Sequence, residues 1–142
     1  EVTTNPGDGI HELSDDDLTD RVIRDLHRIG LLDPKNIILT EPLGYLDFLS
    51  LMRNSKFVIT DSGGIQEETT ILQVPCITLR NNTERPVTVE HGTNMIVSTD
   101  KDKVVQVAMK LINGAEIKGK VPKLWDGRSA KRIVDIILEK FN

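Results

Sequence analysis

The chain has 142 residues, of which 38% are hydrophobic and 28% charged, with a formal net charge of −4. That length supports one core of ordinary domain size, and that balance describes a folded globular protein instead of a disordered one. It offers no basic stripe for a nucleic-acid backbone and no apolar run as long as a membrane span, so neither nucleic acid nor membrane is expected as a partner.

The chain opens Glu1-Val2-Thr3-Thr4, without an initiator Met or a signal-peptide pattern, and reads as a piece of a longer protein. Residues 1–17 are polar, with the turn chemistry of Asn5-Pro6-Gly7-Asp8-Gly9, and stand apart from an α/β domain expected over residues 18–142. Ser14, followed by Asp15, Asp16 and Asp17, makes an N-cap with acids in the first turn. Leu18, Val22, Leu26 and Ile29 then fall on one helical face before Gly30. A β-rich run over 36–40 comes next, then a helical pattern over 44–54 in which Tyr45, Leu49 and Met52 form a core stripe that Phe48 and Leu51 can widen. Residues 56–60 read as a strand, 65–72 as a helix, and 74–79 and 94–97 as further strands. Asp100 caps a helix through Val104, Val107, Ala108 and Leu111. Residues 119–128 are a connection, and 128–141 form a last helix with Ile133, Ile136 and Ile137 on one face.

Apolar strands alternating with helices of about ten residues predict an α/β fold with a parallel sheet covered on both faces. Ligands of such sheets sit outside the carboxyl ends of the strands. The loops expected there are 41–44, 61–64, 80–85 and 98–100. Cys76, the one cysteine, lies within an apolar run and reads as a small core hydrophobe of a reducing, cytoplasmic compartment.

The most informative loop is Asp61-Ser62-Gly63-Gly64, because an apolar run feeds it and a helix starts at once. Backbone N–H groups and a hydroxyl then converge on the positive end of a helix dipole, where an anion belongs. Glu68, about one turn beyond the glycines, can take the hydroxyls of a ribose, and Arg85 offers a fork of donors for a second phosphate. Phosphate and ribose together imply a nucleotide. Taken alone, Gly-Gly can be only a tight turn and Glu68 only a complement to the dipole. Six consecutive polar residues, Arg80 to Arg85, after another strand favour function. Backbone groups at Leu43 in the Glu41-Pro42-Leu43-Gly44 loop can read a pyrimidine edge, and Phe48 can stack on its ring; core packing explains Phe48 equally well. His91, His11 and His27 read as surface residues. Glu67 and Glu68 point in different directions, and no cluster has metal-ligand spacing, so no metal is expected.

These residues resemble a known family, the non-hydrolysing UDP-N-acetylglucosamine 2-epimerases, whose two Rossmann-like domains form a GT-B-type fold. The resemblance rests on Asp61-Ser62-Gly63-Gly64-Ile65-Gln66-Glu67-Glu68-Thr69-Thr70, Val74-Pro75, Thr83-Glu84-Arg85-Pro86, Gly92-Thr93-Asn94 and Asp126-Gly127-Arg128, in the family's order. It runs from about residue 36 to the end, whereas the polar, Asp-rich residues 1–17 depart from a family strand ending in a His-Pro type segment. It implies the C-terminal, UDP-holding half of the enzyme: Ser62, Gly63 and Gly64 at the diphosphate, Arg85 near it, Glu68 at the ribose, and Phe48 and Leu43 at the uracil.

In such enzymes UDP is eliminated to a glycal and re-added after proton exchange at C2, which needs no external cofactor. The acid-base groups belong to the N-terminal domain and the segment joining it to this one. The resemblance therefore implies no catalytic residue in this chain, no activity of the chain alone, a missing N-terminal domain, a UDP-sugar substrate and a possible homodimer. A GT-B glycosyltransferase, a hydrolysing epimerase and a non-catalytic nucleotide-sugar sensor remain as alternatives.

Overall fold

Ser14 begins the first helix, α1 (Asp15–Arg28), through a reciprocal cap. The Asp17 N–H donates to Ser14 Oγ at 3.2 Å while the Ser14 hydroxyl donates to the Asp17 carboxylate at 2.6 Å. The structure, a computed structural model, describes residues 14–28, 33 and 37–141. The readings of residues 1–13, His11, Ile29, Gly30 and Asn36 lie outside the described residues. The chain divides into two compact units, Glu1–Pro42 and Leu43–Asn142, and every candidate site residue belongs to the second.

That second unit runs α2 (Tyr45–Arg53), β1 (Val58–Thr60), α3 (Gly63–Leu72), β2 (Cys76–Thr78), α4 (Pro86–Glu90), β3 (Asn94–Ile96), α5 (Lys101–Ile112) and α6 (Ser129–Phe141). The strands form a parallel sheet in the order β1-β2-β3, with Val58 opposite Cys76 and Cys76 opposite Asn94. All three residues of β2 are buried, and since successive side chains point to opposite faces, both faces of the central strand are covered. α3 and α5 pack on β2. Around Cys76 and Ile77, both at zero exposure, the core continues through Val74, Val97, Ala108 and Leu111. This is the expected α/β, Rossmann-like arrangement.

Each predicted strand of the sheet forms, shortened to three residues, whereas residues 37–40 carry no strand. The expectation fails there because β-propensity is realised only against a ladder neighbour and a covered face; Ile38 is 86% exposed and Leu39 58%. A helix that periodicity missed, α4, opens on Pro86 at its first turn, and the Thr88 hydroxyl donates back to the Arg85 carbonyl at 2.7 Å. Asp100 caps α5 as expected, its carboxylate accepting from the N–H groups of Asp102 and Lys103 at 3.1 and 3.3 Å.

The 119–128 connection is pinned to the core. Lys120 N–H donates to the His91 carbonyl at 2.7 Å, and Pro122 is buried. Asp126 then accepts from the Arg128 N–H and pairs with Arg132, entering α6; first Arg132 and then that N–H hold its carboxyl below the usual range. No helix among the described residues is long and apolar enough to cross a membrane.

Candidate functional site

Parallel strands deliver their carboxyl ends to one edge, and the ladder continues past them to align the loops. Leu79 N–H donates to the Thr60 carbonyl at 2.9 Å, Val97 N–H to Thr78 at 3.0 Å and Ser98 N–H to Arg80 at 3.0 Å. The loops after β1, β2 and β3 therefore lie side by side, as the sequence leads one to expect of 61–64, 80–85 and 98–100.

At the end of β1, Ser62 stays extended (φ −77°, ψ 128°), its N–H held by Thr60 Oγ1 at 3.1 Å, and α3 starts at Gly63. The Ser62 hydroxyl makes no capping bond and the first turn of α3 carries no acidic residue. The positive end of that dipole is thus uncompensated by its own helix, and donors converge on the loop. Across from it stands Glu84. A Cβ built on Gly63 would lie 2.5 Å from Glu84 Oε1, so any side chain at position 63 would push that carboxylate aside. Arg80 Nη1 donates to both Glu84 oxygens at 2.9 and 3.2 Å. The backbone N–H of Glu84, and after it Arg80, holds this carboxyl below its ordinary range.

Arg85, at the start of α4, is not a free cation. Its Nε lies 3.0 Å from Glu67 Oε1, close enough for an ion pair yet off the line of a hydrogen bond, so that buried nitrogen has charge compensation without an aligned acceptor. The two side chains are 42% and 38% exposed, and a pair in such surroundings is weak enough to yield to a phosphate. Glu68, the next residue of α3, has a different neighbour, the Tyr45 phenol, whose pKa the Glu68 charge, above all, raises. Tyr45 is 63% exposed, which corrects the expectation that it packs in the core stripe of α2. Spacing alone put it there with Leu49 and Met52; of the three only Met52 is buried.

Phe48 is half-buried and lines a cleft of about 250 Å³ with Leu51, Met52, Thr60 and Ile65. Thr60 and Ile65 are the residues on either side of the Asp61 to Gly64 loop, so the Phe48 ring and that loop are neighbours. Leu43 precedes the start of α2 at 41% exposure. The structure thus brings Ser62, Gly63 and Gly64 together with the 80–85 loop, and Glu68 together with α2. Sequence reasoning did not single out Tyr45 or Glu84; an acid in an otherwise basic and polar loop was the available signal for Glu84. His91 and His27 are exposed. Cys76 is a buried free thiol, which burial, above all, pushes up in pKa. No group of three or more potential metal ligands occurs among the described residues.

A family model described as UDP-N-acetylglucosamine 2-epimerase matches residues 10–138. The chain belongs to that family. It is 48% identical over 103 residues to the UDP-N-acetylglucosamine 2-epimerase of Methanocaldococcus jannaschii, a match covering 72% of this chain and 28% of that protein. Its fold superposes on the M. jannaschii enzyme in complex with UDP-GlcNAc and UDP with a TM-score of 0.64 at 40% identity, covering 86% of this chain and 33% of the other. On the Neisseria meningitidis enzyme bound to UDP-GlcNAc the score is 0.63 at 32% identity, covering 89% and 35%. The chain therefore spans about a third of the length of these family members, and its three-stranded sheet with packed helices is part of a GT-B-like fold.

Proposed function

We propose that this chain is the C-terminal, UDP-holding part of an enzyme that interconverts UDP-GlcNAc and UDP-ManNAc. The observation that carries the reading is the start of α3, where Ser62, Gly63 and Gly64 form an uncapped helix N-terminus beside a loop that sets Glu84 against Gly63 and pairs Arg85 with Glu67 of the same helix. An anion at that position is stabilised by the dipole and by first-turn N–H groups, and the Arg85 guanidinium adds charge-assisted bonds once it leaves Glu67. Glu68 takes the ribose hydroxyls, and Phe48 and the Leu43 backbone take the uracil. The identity to enzymes whose structures hold UDP-GlcNAc and UDP supports this choice of ligand.

Holding UDP positions the C1–O bond of the sugar for cleavage. UDP departs with the bonding electrons, a base removes the C2 proton, and the glycal formed takes UDP back after a proton is delivered to the opposite face of C2. The acids and bases for those transfers come from sequence beyond this chain, so the chain alone holds UDP without turning it over. The buried free thiol of Cys76 supports a cytoplasmic protein, and the complete enzyme is proposed to be a homodimer. The test is product analysis on the full-length protein in heavy water: UDP-GlcNAc should give UDP-ManNAc with deuterium at C2. Release of free sugar would make it a hydrolysing enzyme, and absence of any turnover would make it a nucleotide-sugar sensor.

A further inference from the structure

Behind the candidate phosphate loop lies a buried polar cluster that the proposed binding roles do not use. Gln66, in the first turns of α3, has zero exposure, and its Nε2 has no hydrogen-bond partner. A buried amide with an orphan donor lowers stability relative to an apolar side chain of similar volume, so its presence at this position calls for a return on the other end of the amide. That end is Oε1, which accepts from the Thr83 hydroxyl at 2.6 Å and from Asn94 Nδ2 at 3.0 Å. Asn94, on β3, also donates to Thr88 Oγ1 at 3.1 Å and accepts from the Thr78 hydroxyl at the end of β2. Thr83 Oγ1 in turn accepts from the Arg85 N–H at 2.9 Å. A continuous chain of hydrogen bonds therefore runs from the helix that carries Gly63 and Gly64, through one hydroxyl, to the backbone of Arg85.

We infer that Gln66 and Thr83 are positioning residues that set the Arg85 guanidinium against the α3 N-terminus, and so determine how tightly the diphosphate of the nucleotide is held. Beside this link the 80–85 loop reaches α3 through the half-exposed Arg85–Glu67 ion pair, the contact of Glu84 with Gly63, and a longer relay from Gln66 through Asn94 and Thr88 to the Arg85 carbonyl, so the Thr83 hydroxyl is the shortest route to that backbone and the one that holds its N–H. The Thr83 hydroxyl is the vulnerable point, because it both donates to Gln66 and accepts from Arg85, and valine has the same shape with neither capacity. The inference rests on the reading of Arg85 as a phosphate ligand.

The experiment is calorimetric titration of UDP and of uridine, which lacks phosphate, into the full-length protein and its Thr83→Val, Thr83→Ser, Arg85→Ala and Thr83→Val/Arg85→Ala variants. Amide hydrogen exchange across residues 83–86 is followed in each. Thr83→Val should weaken UDP about tenfold, leave uridine unchanged and speed exchange at Arg85. Thr83→Ser should restore UDP binding, and Thr83→Val should add little once Arg85 is gone. Equal losses for UDP and uridine, full additivity with Arg85→Ala, or wild-type UDP affinity in Thr83→Val would overturn the positioning role while leaving Arg85 in place. Unchanged UDP affinity in Arg85→Ala would instead remove the phosphate reading of Arg85, and the inference with it. Gln66→Leu is avoided as the primary variant because it also removes one of the acceptors of the buried Asn94 amide.

Discussion

A carboxylate that serves a ribose accepts from two hydroxyls, and the charge of Glu68 is already felt by the Tyr45 phenol beside it. If that carboxylate reads the sugar, Glu68→Ala and removal of the 2′ and 3′ hydroxyls from UDP delete one shared interaction. Each should cost about ten- to a hundredfold in affinity, and the two together little more than either alone. Titration of UDP and its dideoxy analogue into both proteins checks this. A Glu68 that only supports α3 would instead weaken both ligands by the same factor and lower the melting temperature. Tyr45→Phe removes the phenol beside Glu68 without touching the carboxylate, and should alter UDP affinity while leaving dideoxy-UDP affinity unchanged. The place of Glu68 about one turn beyond the glycines was readable from the sequence, whereas the phenol beside it was not. Tyr45, Leu49 and Met52 stand at helical spacing, and which of them faces solvent is decided by how α2 packs on α3, a tertiary fact that spacing does not contain.

Elements announced by a side-chain device were legible, and those that depend on a neighbour were not. Ser14 and Asp100 cap the helices their sequences promised, because capping is settled within four residues. Residues 37–40 had the propensity of a strand without a ladder to join, and α4, at five residues, is too short to show a period. Asp100 yields a pH prediction. The Lys103 N–H, followed by its ammonium, holds the Asp100 carboxyl below the usual carboxylate range, so the cap stabilises the fold fully above the unfolded-state value and is lost as pH falls through the folded one. Melting curves of Asp100→Ala and the parent should therefore differ at neutral pH and converge in acid. Packing gives a second prediction at this scale. A Cβ on Gly92 would stand 2.5 Å from the Thr88 carbonyl and from Thr70 Oγ1, and Gly119 is packed against the Gly92 backbone from the other side. Gly92→Ala should destabilise by about 1–3 kcal/mol or more, read from the denaturation midpoint. A midpoint within error of the parent would show that the Thr70 side chain and the Thr88 backbone can give way.

At the scale of the whole molecule, the parallel sheet and the gathering of its loops at one edge were legible because βα alternation forces strand ends and loops to the same side. The proposed division of labour with sequence outside this chain rests on the family resemblance instead, since no spacing within 142 residues carries it. The account consequently predicts that the 142-residue chain by itself incorporates no deuterium at C2 of UDP-GlcNAc in heavy water, and incorporation would move the acid-base chemistry into its own residues. Its central claim is that the diphosphate sits on the first turn of α3. The most direct measurement is the amide spectrum of full-length protein labelled with nitrogen-15 at glycine, titrated with UDP and separately with uridine. The account predicts that the Gly63 and Gly64 amides shift on adding UDP and stay in place with uridine, while Gly114 and Gly127 move with neither. Unmoved Gly63 and Gly64 signals at saturating UDP, or equal shifts with uridine, would contradict it.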